Sequence, residues 1–61
     1  MSAKTEYKIV ELATVTDESL EQTINEWTGE GWRFDMVNYV TQASSRRPVM
    51  AFVFFTREVE N

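Results

Sequence analysis

Neither cysteine nor histidine occurs anywhere in this chain. The first absence removes disulfides as a source of stability. Together the two remove the usual ligands of structural zinc and the common nucleophile–base pairs of covalent catalysis. A cysteine-free chain fits a reducing compartment. Glycine is also scarce: Gly29 and Gly31 are the only two, and they share one short turn. Gly29-Glu30-Gly31 follows the candidate helix rather than opening one, so it is not the anion cradle of a helix N-terminus. The longest apolar run, Val49 to Phe55, has seven residues, against about 20 for a membrane-spanning helix. Met1 to Glu6 has no apolar region to serve as a secretion signal, and the expected location is the cytoplasm. Basic residues number 6 against 10 acidic ones, for a net charge of −4. Phosphate-backbone binding rests on the opposite balance, which argues against a general nucleic-acid binder.

What remains is a short, apolar-rich chain. Its 61 residues make one domain, 1–61, with 1–5 and 58–61 expected as frayed ends. Hydrophobic residues make up 43% and aromatics 13%, too much for a disordered tail. A chain this small buries only about 60% of its unfolded surface. Its core supplies roughly 3–5 kcal/mol unless a staple or a partner adds to it. With disulfide and zinc excluded, self-association is the remaining common remedy.

Tyr7-Lys8-Ile9-Val10-Glu11-Leu12 reads as a strand. Thr16 is a helix N-cap whose hydroxyl accepts from a free first-turn amide. Asp17 and Glu18 then meet the positive end of the helix dipole. Val15 and Leu20 form a hydrophobic staple, and Leu20, Ile24 and Trp27 make one apolar stripe. Placing the left-handed stop at Gly31 brings Trp27 and Trp32 to the two positions that touch in a Schellman motif, whereas a stop at Gly29 pairs Asn25 with Glu30. Trp32 to Thr41 alternates as a strand, with Trp32, Phe34, Met36 and Val40 on one face and Arg33, Asp35, Val37, Tyr39 and Thr41 on the other. Gln42 to Pro48 is a loop, and Val49 to Arg57 is a strand apolar on both faces.

The order is therefore β-α-β-β. The most apolar strand, the third, belongs in the centre, paired as a hairpin with the second. The expected fold is an α+β two-layer sandwich: a mixed three-stranded sheet, the first and second strands parallel to each other and the third antiparallel to both, with the helix on one face. One helix covers one face only, so the third strand implies a partner on the other. The expected partner is a second copy, as a dimer or tetramer, through Val37, Tyr39, Val49, Ala51, Val53 and Phe55.

Tyr7 to Leu12, the helix with Leu20 and Ile24, the turn Gly29-Glu30-Gly31-Trp32 and the closing apolar strand ending in Thr56-Arg57 resemble domain of unknown function 4177. That family comprises short bacterial and phage proteins. The resemblance spans about Glu6 to Arg57, with Arg33 and Phe34 where the family often has Glu and Leu. It implies the same fold; the family has no established activity, and no functional residues carry over from it.

No catalytic, cofactor or metal residues are expected. Asp17 and Glu21 lie on a solvated first turn, and Arg33 with Asp35 near Tyr39 reads as an ion pair rather than a catalytic site. Trp27 and Trp32 read as core filling. The expected function is a non-enzymatic, self-associating interaction module. One alternative is an oligomer that presents Arg33, Arg46 and Arg47 to nucleic acid, combining charge with stacking. Another is an acidic phage or mobile-element protein that blocks a basic site on a host protein.

Overall fold

The computed structural model describes residues 3–44 and 46–60. The elements are β1 (Ala3–Leu12), α1 (Asp17–Thr28), β2 (Arg33–Thr41) and β3 (Pro48–Glu60), in a three-stranded sheet of order β1-β3-β2. The fold is α+β, with β3 central. β1 and β2 run parallel to each other on either side of β3, so both hydrogen-bonded ladders are antiparallel.

Residues 3–5 and 58–60, expected as frayed, pair within the sheet. Ala3, Lys4 and Thr5 pair with Glu60, Val59 and Glu58 in a ladder that runs unbroken to Leu12 and Ala51. Residues 1, 2 and 61 lie outside the described residues.

Thr16 caps the helix as its sequence predicts. Its hydroxyl accepts from the Ser19 amide at 3.0 Å, and the Thr16 amide donates to the Ser19 hydroxyl oxygen at 3.1 Å. This is a reciprocal capping box, with serine in the place usual for glutamate. At the other end the Trp32 amide donates to the Trp27 carbonyl at 3.1 Å and the Gly31 amide to the Thr28 carbonyl at 3.2 Å. These are the two bonds of a Schellman stop. Gly31 takes φ 101°, while Gly29 stays helical at φ −66°.

The helix returns across one face of the sheet. Beneath it Ala51, Val53 and Phe55 are fully buried. On α1 itself Thr23 is the buried residue, at the centre of the stripe of Leu20, Ile24 and Trp27. Twelve helical residues cover about 18 Å. The thirteen residues of β3 run for about 43 Å. The molecule is a plate of 50 × 21 × 12 Å, with a radius of gyration of 13.8 Å. A compact domain of this length has roughly 10–11 Å.

Candidate interaction surfaces

The register decides which side chains share a face. Opposed residues of an antiparallel ladder point the same way. Lys8, Val10 and Leu12 stand opposite Phe55, Val53 and Ala51, on the helix side. Phe34, Val37 and Tyr39 oppose the same three residues from β2. Phe34 meets Phe55 edge to face, with ring centroids 6.3 Å apart.

Half of the partner surface expected from the sequence is core instead, and Tyr39, at 52% exposure, is open on the helix side. Ala51, Val53 and Phe55 are the core under the helix, with no surface to offer, and Val37 and Tyr39 share their face. Val49 falls at a register shift where Val40 pairs with Met50 and Thr41 with Pro48. β3 is apolar on both faces, so its sequence alone does not say which set the helix takes.

The strict alternation expected along β2 also fails. A bulge between Phe34 and Met36 leaves Asp35 without an opposite residue. The extra residue flips the pattern. Phe34 joins Val37 and Tyr39 on the helix side, and Met36 joins Asn38 and Val40 on the other. Arg33 pairs with Thr56 on that other face, so Arg33, Asp35 and Tyr39 do not form the cluster that alternation implies.

The open face is built from three rows. Tyr7, Thr56 and Arg33 form one, Ile9, Phe54 and Met36 the next, and Glu11, Phe52 and Asn38 the third. Met50 with Val40 extends it. Tyr7 is 66% exposed and Ile9 56%, and Met36 and Val40 are also exposed. Phe52 and Phe54, on the central strand, are only half-buried. Together they make a contiguous apolar surface that no described element covers, while on the helix side Phe34 and Tyr39 also stay exposed, at 41% and 52%.

Beyond the C-terminal end of α1, on the helix side, cations meet the tryptophans. The Lys8 ammonium lies 4.1 Å from the centre of the Trp27 ring and 5.9 Å from that of Trp32. The Arg57 guanidinium lies 4.3 Å over Trp32 and donates from Nε to Glu6 Oε1 at 3.0 Å. Sequence reasoning missed this cluster, because only the β1–β3 register puts Glu6 opposite Arg57.

Arg46 and Arg47 lie exposed near the hairpin tip. Arg33 begins β2 at its far end, about 25 Å away along the strand. Within one chain the three do not converge.

A shallow groove follows β1, lined by Lys4, Thr5, Glu6, Tyr7, Lys8 and Ile9, with Trp32. Among the described residues no three acidic side chains come together as a metal site, and no helix is long and apolar enough to cross a membrane. No protein-family model, curated protein or solved structure matches the chain, so its resemblance to domain of unknown function 4177 rests on the quoted residues alone.

Proposed function

We propose that this chain is a non-enzymatic, cytoplasmic interaction module that self-associates through the sheet face opposite its helix. The observation that carries this reading is the uncovered surface of Ile9, Met36, Val40, Met50, Phe52 and Phe54. It replaces the expected face because Ala51, Val53 and Phe55 are buried within the chain itself. The broad side of a 50 × 21 Å plate offers a footprint of about 1,000 Å² in projection. A standard specific interface needs about 800 Å² per partner. Two such faces stack about 10 Å apart in an aligned sandwich.

The row pattern favours a second copy over an unrelated partner. A two-fold axis along β3 lays β1 of one copy over β2 of the other. Ile9 then faces Met36 of the other copy, Glu11 faces Asn38, and Tyr7 faces Arg33. These matches are apolar on apolar, acceptor on amide and ring on cation. The test is Phe54→Lys, which puts a charge at the centre of the face. Sedimentation should show a lower mass than wild type with unchanged circular dichroism. An unchanged mass contradicts the reading.

A further inference from the structure

A three-stranded open sheet has two edges, and here they differ. β2 carries a bulge at Asp35, and a second register shift adjoins its far end. Bulges are a common means of keeping an edge from pairing with another chain. β1 has none. Its ten residues keep one register against β3 from Ala3 to Leu12 and contain no proline. A shallow groove beside this strand is lined by six consecutive residues, Lys4 to Ile9, and by Trp32 on the helix side. Consecutive residues point to alternate faces. A groove touching all six therefore follows the strand's free backbone edge.

We propose that this edge is a strand-addition site and that its occupant is β1 of a second copy, antiparallel about a two-fold axis through Tyr7. The charges of β1 select this register. Centred on Tyr7, Glu6 stands opposite Lys8 of the second copy and Lys8 opposite its Glu6. Lys4 meets Val10, Thr5 meets Ile9, and the pairing runs from Ala3 to Glu11. Moving the axis to Glu6 sets Glu6 against Glu6 and Lys4 against Lys8. Moving it to Lys8 sets Lys8 against Lys8. Like charges directly opposite each other destabilise a ladder, and opposite charges support it. Arg57 takes Oε1 of Glu6, and the carboxylate has a second oxygen to offer. The product is a continuous six-stranded sheet with both helices on one side and both open faces on the other. This interface does not depend on the face-to-face contact. The two-fold along β3 and the one through Tyr7 do not meet, because β3 is the central strand and β1 the edge, so the two contacts together extend the assembly beyond a dimer.

Charge exchange tests it. Glu6→Lys and Lys8→Glu each leave a chain with like charges at both positions. Each variant alone should self-associate through this edge at least about tenfold more weakly than wild type in sedimentation equilibrium. An equimolar mixture should recover wild-type association, because the two chains complement each other. A purely structural role for Glu6 or Lys8 predicts no recovery on mixing. Wild-type association by either variant alone, or a mixture no tighter than its components, overturns the proposal. Phe54→Lys, measured alongside, keeps the two interfaces distinct, since it removes the face contact and leaves the edge. Should a charge variant not fold, Tyr7→Cys supplies the chain's sole thiol on the axis. A short bismaleimide should then link two copies faster than it links a Gln42→Cys variant. Equal rates overturn the proposal.

Discussion

Trp32 closes the helix by donating its amide to the carbonyl of Trp27 at 3.1 Å, with Gly31 between them at φ 101°. One left-handed residue thus converts the end of α1 into the start of β2. A Cβ at Gly31 meets nothing within 4 Å, so any cost of adding one comes from the backbone alone. Gly31→Ala should destabilise by about 1 kcal/mol or more in urea unfolding. Gly29→Ala should be near neutral. Its helical φ lets alanine reduce unfolded-state entropy by about 0.4–1 kcal/mol, and a 3.1 Å approach to the Asn25 carbonyl oxygen offsets part of that. The reverse order would place the stop at the wrong glycine.

The capping box predicts a paired loss. Thr16→Ala removes the acceptor for the Ser19 amide and should cost about 1 kcal/mol. Ser19→Ala leaves the Thr16 amide without that partner. Because both bonds belong to one unit, the double variant should cost less than the sum of the singles. Strict additivity in thermal or urea denaturation would show that the two bonds act independently.

Neighbours on β3 should respond in opposite ways. Phe55 is fully buried under the helix, and Phe55→Ala should cost about 3–5 kcal/mol. That equals the whole stability expected of a chain this size, so the variant should be unfolded by circular dichroism. Phe54 points to the open face, and Phe54→Lys should stay folded while losing the face-to-face contact. If Phe54→Lys unfolds and Phe55→Ala does not, then Phe54 rather than Phe55 lies under the helix.

The Glu6–Arg57 pair should contribute little by itself. Both side chains are about 40% exposed, at 40% and 42%. A double-mutant cycle should return about 0.2–1 kcal/mol, screened by salt. Arg57→Ala should cost more than Glu6→Ala, because it also uncovers the Trp32 ring.

Much of this fold is legible in local signals. Thr16, Gly31 and the stripe of Leu20, Ile24 and Trp27 mark the helix, and the two-faced apolar β3 marks the centre of the sheet. What escapes is whatever depends on register. Asp35 carries no mark of a bulge, yet its extra position moves Met36 to the face opposite Phe34. Ala51, Val53 and Phe55 are no more apolar than Met50, Phe52 and Phe54, so choosing between them requires knowing where the helix lands. The ends look polar and short, but Ala3 to Thr5 find partners in Glu58 to Glu60 because the two strands happen to be in phase.

Sedimentation equilibrium of the wild-type chain at micromolar concentration, compared with Phe54→Lys, is the most direct test of self-association through the open face. Wild type should run heavier than a monomer, and Phe54→Lys should run at a lower mass with the same circular dichroism. A wild-type chain that is a stable, folded monomer would contradict it.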